Sequence, residues 1–227
     1  MTCYRCMMKH CLCQSLKPFQ TETKFIILIH PKELKKEKAA TGRLTKLSLL
    51  NSEMIDGISF TENDKVNKLL QDPQYYPMLL YPGVESLNLS KNQFDKTNLG
   101  QKKLMIFILD GTWTCAKKML KLSPNLQALP RLSFTPTKPS EFLIKQQPHP
   151  DCLSTIESTS FLVEELNRVG IEKTTEHDHM IVVFREMRDF FIACAKDPNR
   201  QGYRRSNYTT PSERKPALTK RRLFFET

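Results

Sequence analysis

No stretch of this chain approaches the ~18 consecutive apolar residues that a membrane-crossing helix requires. The opening residues, Met1-Thr2-Cys3-Tyr4-Arg5-Cys6, carry no apolar signal segment. A cytoplasmic protein without a membrane partner is expected. Neither G-x-G-x-x-G nor G-x4-G-K-[ST] occurs, so dinucleotide-binding and P-loop chemistry lose their main support. No internal repeat is visible, and tryptophan occurs once. Acidic residues are scarce beside basic ones, 24 against 35, for a formal net charge of +11. That excess points away from an acidic small molecule as the host of its own charge and toward a polyanionic partner, most simply nucleic acid.

What is present suffices for one α/β domain and a small appendage: 227 residues, 39% of them hydrophobic. The positive charge is clustered. Residues 197–227 hold eight Lys/Arg (Arg200, Arg204, Arg205, Arg214, Lys215, Lys220, Arg221, Arg222) against three acids, together with Tyr203, Tyr208, Phe224 and Phe225. Cations interleaved with aromatics suit phosphate contact plus base stacking. A tail without fixed structure is the other reading.

Four of the seven cysteines crowd the first thirteen residues as C-x2-C-x4-C-x-C: Cys3, Cys6, Cys11 and Cys13. In a reducing compartment disulfides are disfavoured, and Cys-x2-Cys knuckles hold zinc. Four thiolates make a closed, structural Zn2+ site, in which His10 could replace one sulfur. A redox pair or an iron–sulfur cluster is the alternative. Cys115, Cys152 and Cys194 read as packed thiols.

Phe25–Ile29 is a continuous apolar run, the pattern of a buried parallel strand, ending at His30-Pro31. A basic segment runs from Lys32 to Lys46. Thr61-Glu62-Asn63-Asp64 reads as a helix start leading into Val66, Leu69 and Leu70, and Met78–Tyr81 is a second strand stopped by Pro82-Gly83. Residues 86–102 read as a polar loop, 104–109 as a strand, 113–122 as a helix and 129–134 as a short strand. Prolines at 136, 139, 148 and 150 make the next stretch irregular. Ser154 and Glu157 form a capping box ahead of Phe161, Leu162, Leu166 and Val169, with Gly170 as the stop. Asp178 caps a last helix ending at Asp197-Pro198. Strands alternating with helices predict a parallel sheet covered on both faces.

The most informative element is Asp110-Gly111-Thr112-Trp113, directly behind the apolar run 104–109. Ligands of parallel α/β proteins bind at strand carboxyl ends. The glycine permits close backbone approach, and Thr112 is a sound N-cap for the following helix. A carboxylate therefore stands at the mouth of a predicted pocket; an ordinary strand-to-helix turn would look the same. Arg43 and Arg131 are candidates for a carboxylate or a phosphate, or solvated surface charges. His30 touches substrate or is a hydrogen-bonded structural histidine. His177 and His179 flank Asp178 at a spacing that could bind metal, though a polar loop before a helix is the simpler account.

These pieces together resemble the DTW-domain family of tRNA-uridine aminocarboxypropyltransferases. The resemblance is carried by D-x-T-W at Asp110–Trp113 and by Cys3, Cys6, Cys11 and Cys13. It extends to His30-Pro31-Lys32-Glu33, Thr41-Gly42-Arg43-Leu44, Leu80-Tyr81-Pro82-Gly83, Leu129-Pro130-Arg131-Leu132 and Leu153-Ser154-Thr155-Ile156-Glu157. Lys117 and Lys145 stand where the family often has arginine, which keeps the charge but loses the bidentate fork.

The resemblance implies a SPOUT-like fold with a knotted C-terminal part that holds S-adenosylmethionine. It implies transfer of the donor's 3-amino-3-carboxypropyl group to N3 of a tRNA uridine, giving acp3U and releasing methylthioadenosine. The chain then divides into a zinc-binding knuckle (1–20), a transferase domain (21–196) and the basic tail (197–227). Asp110 is the candidate general base for the N3 proton, with orientation of the donor's ammonium or of the base edge as the competing role. Leu80, Tyr81, Pro82, Leu109, Gly111, Thr112, Trp113, Leu129, Arg131, Leu132, Ser154 and Thr155 are the implied donor-binding residues. Trp113 stacks on a base or packs in the core. Arg43, Lys117, Lys145, Arg204 and Arg205 are candidates for tRNA contact, and a monomer is expected. An RNA methyltransferase using the same donor, and a non-catalytic zinc-knuckle RNA-binding protein, are the competing functions. The residues leave open whether the target uridine lies in the variable loop or the D-loop.

Overall fold

The computed structural model describes residues 2–36, 41–142 and 152–197. Its centre is a six-stranded, all-parallel sheet in the order β2-β1-β5-β3-β6-β4. The strands are β1 (Lys24–Ile29), β2 (Ser52–Asp56), β3 (Tyr75–Leu80), β4 (Leu87–Asn88), β5 (Lys103–Asp110) and β6 (Arg131–Ser133). The helices are α1 (Pro31–Lys36), α2 (Thr41–Ser48), α3 (Asp64–Leu70), α4 (Trp113–Lys121), α5 (Pro124–Gln127), α6 (Thr155–Arg168) and α7 (Asp178–Lys196). Among the described residues no helix is long and apolar enough to cross a membrane.

Burial follows the pleat. Side chains alternate across a strand, and those of β1, β3 and β5 divide between two apolar layers. Phe25, Met78, Leu104, Ile106 and Ile108 face one layer, with Leu44 of α2, Leu162 and Leu166 of α6, and Val183, Phe184 and Met187 of α7. Ile26, Leu28, Leu79, Met105 and Phe107 face the other, with Val66 of α3, Met119 and Leu120 of α4, and Leu126 of α5. Strands covered on both sides are apolar throughout, which is why β1 and β5 are plain in the sequence. The cysteine-rich segment adds Cys6, Met8, Leu12, Leu16 and Phe19 to the first layer, and Phe19 pairs in parallel with Leu49.

Several elements depart from the sequence reading for local reasons. The basic segment after Pro31 folds into α1 and α2, and Ser52–Asp56 forms the edge strand β2, whose alternating exposure leaves no apolar run to notice. Strand β3 begins at Tyr75 and includes Pro77. Leu79 and Tyr81 donate their N–H groups toward β6, so the nitrogen of Pro77 points the same way, beyond the start of β6, where no donor is needed. The loop 86–102 contains β4 and two 3-10 turns. Within the helix start read at Thr61–Asp64, Asn63 is the cap of α3, accepting from Val66 N–H at 3.1 Å. His177 is the N-cap of α7, and Asp178 is its first residue. The capping box at Ser154 and Glu157 and the left-handed stop at Gly170, with φ 77°, are as read.

Beyond Gly170, Glu172 returns to the amino edge of the sheet. Its buried carboxylate accepts the N–H groups of Glu22, at 3.1 Å, and Thr23, at 2.5 Å, just before β1 begins. Glu172→Ala leaves both donors without that acceptor and should cost about 2–4 kcal/mol, with Glu172→Gln retaining part of it, as read by urea denaturation.

Candidate active site

The connections after β1 and β5 leave the sheet on opposite faces. The chain after β1 enters α1 and α2 on one layer, and the chain after β5 enters α4 and α5 on the other. The two strands are neighbours, with Ile29 in register with Asp110. This is a topological switch point, the place at the carboxyl edge where diverging connections favour a ligand-binding crevice. His30 N–H donates to the carbonyl of Asp110 at 2.9 Å, tying the two strand ends together.

Asp110 is 5% exposed. Thr155, the first residue of α6, donates its hydroxyl to Asp110 Oδ1 at 2.5 Å. From the other side α2 presents Gly42. A Cβ there would lie 2.9 Å from Oδ1 and closer still to Oδ2. The carboxylate therefore occupies the space that any other residue at 42 would need. Both contacts come from first helical turns, whose backbone presents its positive end to an anion.

Past the carboxyl ends of β3 and β5 the structure brings together several residues expected from sequence. Trp113 opens α4, half-buried, with its ring edge-on to buried Tyr81 at a centroid distance of 6.4 Å and 65°. The Arg131 guanidinium carbon lies 5.7 Å from the centre of the Tyr81 ring. Burial pushes the Tyr81 hydroxyl above its ordinary pKa, and Arg131 partly opposes this. Thr112 caps α4, accepting from Cys115 N–H at 3.3 Å. Gly111 packs against His30 and Cys115, where a Cβ would come within 3.4 Å of His30 and 3.1 Å of Cys115. His30 Nδ1 accepts from Lys32 N–H at 3.1 Å, which puts the ring proton of a neutral imidazole on Nε2. Burial, then the charge of Lys32, hold its pKa below the ordinary value. Its structural role is thus the capping of α1.

Other expected residues are placed differently. Leu132 is fully buried and packs in the first layer, and half-buried Leu80 packs against it. Leu109 and Leu129 line the second layer. Pro82 is half-buried behind Tyr81 in the sequence. Ser154 spends its hydroxyl on Glu157, at 2.5 Å, within the capping box. Arg43 reaches the carbonyl of Leu34 at 3.5 Å, and Lys117 is exposed on α4. Lys145, Arg204 and Arg205 lie outside the described residues, as does the tail beyond Asp197. His177 and His179 form no metal-ligating group with other side chains among the described residues.

The four N-terminal cysteines do form such a group. Their sulfurs all lie within 4.8 Å of one another, with Cys3 and Cys13 3.7 Å apart. A tetrahedron with metal–sulfur bonds of about 2.3 Å has sulfurs about 3.8 Å apart, so the arrangement could hold a metal ion. Two backbone hydrogen bonds between residue 3 and residues 7 and 8 close the loop. Amide hydrogen bonds from Cys6 and Arg5 lower Cys3 to about 6, while burial and the neighbouring thiols push Cys13 up to about 12. Thiols this close cannot all ionise unless a cation shares the site. His10 is not among them; its ring stacks on Phe190 at 4.2 Å and 8°.

A sequence pattern described as the DTW domain matches residues 1–192. Among curated proteins the chain is similar to tRNA-uridine aminocarboxypropyltransferase 2 of Drosophila melanogaster, at 27% identity over 66% of this chain and 59% of that protein. It is similar to the protein of the same name from Mus musculus, at 27% identity over 73% of this chain and 56% of that protein. The chain thus spans less than three fifths of the length of these relatives. No solved structure matches.

Two contacts at the site were beyond the sequence reading: the seat of Asp110 on Gly42 and its tie to Thr155. A faint signal existed for the first. A glycine inside a helix costs about 1 kcal/mol relative to alanine, so Gly42 in the first turn of α2 marks a close approach. Gly42→Ala should therefore destabilise the protein by about 1–3 kcal/mol in urea denaturation, despite alanine's better helix propensity, because the methyl group displaces the carboxylate. A variant at least as stable as the parent would show that Asp110 can step aside.

Proposed function

The chain belongs to the DTW-domain family, and from that premise we propose that it transfers the 3-amino-3-carboxypropyl group of S-adenosylmethionine to N3 of a uridine in tRNA, forming acp3U. The observation that carries this reading is the buried Asp110 carboxylate, held by Thr155 and Gly42 at the switch point of a parallel sheet. The names of the similar proteins from fly and mouse support the acceptor and the transferred group. Segment 152–168 brings the start of α6 to the carboxyl edge, which supports a donor site there; its knotted, SPOUT-like form is part of the proposal.

The donor is a sulfonium and carries its own activation. A bond forms from uridine N3 to the terminal carbon of the aminocarboxypropyl chain. The carbon–sulfur bond breaks, its electron pair stays on sulfur, neutral methylthioadenosine leaves, and the N3 proton passes to the Asp110 carboxylate in the general-base role or to water in the anchoring role. The protein's task is largely positioning, which can supply most of such a barrier reduction. Asp110 suits a fixed negative charge that anchors the donor's ammonium group. One oxygen is already engaged by Thr155 and the other is packed on Gly42. Its placement beside the crevice also supports the general-base role. Tyr81 and Trp113 offer aromatic surface to adenine or uracil, and Arg131 offers a cation to the donor's carboxylate. The backbone of residues 80–82, 109–112 and 129–132, with Ser154 and Thr155, completes the donor site of the proposal. Arg43, Lys117, Lys145, Arg204 and Arg205 are assigned to tRNA phosphates. The metal of the cysteine cluster is zinc in this reading, and its role is structural.

Incubation with unmodified tRNA and S-adenosylmethionine, followed by nucleoside mass spectrometry, tests the transfer. The expected product is acp3U. A gain of one methyl group would assign methyl transfer instead, and absence of donor binding in calorimetry would return the chain to the RNA-binding reading. Asp110→Asn should lower turnover by at least ~10²-fold. Weakened donor binding in the same variant marks the ammonium anchor, and unchanged donor binding marks the base. Near-normal turnover would remove both roles. Stripping the metal with a chelator should lower Tm by about 5–15 °C, because the knuckle's apolar residues belong to the main core.

A further inference from the structure

We propose that the outer face of the cysteine knuckle is an RNA-contact surface, on which Tyr4 stacks against an unpaired base while Arg5 and Lys9 meet flanking phosphates. The proposal rests on the reading of tRNA as substrate and adds a contact outside the donor site.

The knuckle sorts its side chains sharply. Cys6, Met8, Leu12 and Leu16 are buried in the main core, whereas Tyr4 is 91% exposed and Met7 54% exposed. An aromatic ring left in water contributes almost nothing to folding, and that of Tyr4 has no ring or cation contact among the described residues. Arg5, next to Tyr4 in the chain, and Lys9, on the same short segment, are exposed and without an ion pair among the described residues. Residues 1–20 contain no acidic side chain, while Arg5, Lys9 and Lys17 are basic. An exposed ring on a segment that carries basic but no acidic side chains of its own is complementary to a nucleic-acid strand, because every base has a π-face and every linkage a negative charge.

The knuckle is also firmly mounted, and on the correct end of the molecule. His10 stacks on Phe190, and its Nε2 lies 3.8 Å from Glu186. In the same stretch of α7, Arg185 and Arg188 pair with Glu141, whose N–H is bound by Glu157 in the first turn of α6. That turn also holds Thr155, the partner of Asp110. The knuckle therefore docks on the part of α7 that lies toward the carboxyl edge, where the candidate active site opens. In the proposal, an RNA engaged at Asp110 extends to this docked knuckle, whose exposed side chains include one ring and two cations.

Binding of an unmodified tRNA transcript to the metal-loaded full chain, without donor and across a salt series, tests the proposal. Tyr4→Ala should weaken binding roughly tenfold, and Tyr4→Phe by no more than about twofold, because the ring and not the hydroxyl makes the stack. Arg5→Ala with Lys9→Ala should flatten the log–log salt slope by about 1–2. Metal content and Tm should stay at parental values, since these side chains are exposed. Parental tRNA affinity for Tyr4→Ala, whether because the face is bare or because it serves a protein partner, would overturn the proposal. Reading binding without donor keeps this outcome separate from any failure of group transfer.

Discussion

The seat of Asp110 is the constraint on which the rest of the site depends. A carboxylate at the end of a central strand is held from one side by the hydroxyl of Thr155 and from the other by the bare backbone of Gly42. These contacts join three segments far apart in sequence: the end of β5, the first turn of α2 and the first turn of α6. Burial of an anion is costly unless hydrogen bonds and oriented dipoles receive it, so these helices must begin where they do. A side chain at 42 would push the group out, and loss of the hydroxyl at 155 would release it.

The sheet makes that seat possible. Neighbouring strands β1 and β5 send their connections to opposite faces, and the crevice between the diverging chains is where Asp110, His30 and Gly111 meet. Both strands are apolar on both sides because each face is covered by a packed layer. The amino edge is secured independently by Glu172, which binds the two residues preceding β1. The cysteine knuckle is continuous with the core on one face, so a metal held there would bear on the same layer that positions α2, α6 and α7.

Much of this was legible in the chain. Fully buried strands announce themselves as apolar runs, as at Phe25–Ile29 and Leu104–Leu109. Caps and stops announce themselves as Ser154 with Glu157 and as Gly170. The cysteine spacing pointed to a four-sulfur group, and the sulfurs converge within 4.8 Å. Edge elements were harder to read, because β2 and β4 are short and half-exposed and so lack a hydrophobic signature. The status of individual site residues was harder still. The same motif tract contains Tyr81, which joins Trp113 and Arg131, and Leu80, which packs into the core.

By itself, the order of amino acids determined the alternation of strands and helices, the acid at a strand's end and the thiol cluster. Each of these is set by local periodicity, capping or spacing, over distances of a few residues. Only the tertiary structure decided what touches the acid. Gly42 and Thr155 are 68 and 45 positions from Asp110. Their convergence depends on strand order and on which face each connection covers, and neither is written in any short stretch of sequence. The same holds for His10, which lies between cysteines in the chain yet stacks on Phe190, because docking of the knuckle on α7 turns its ring away from the sulfurs.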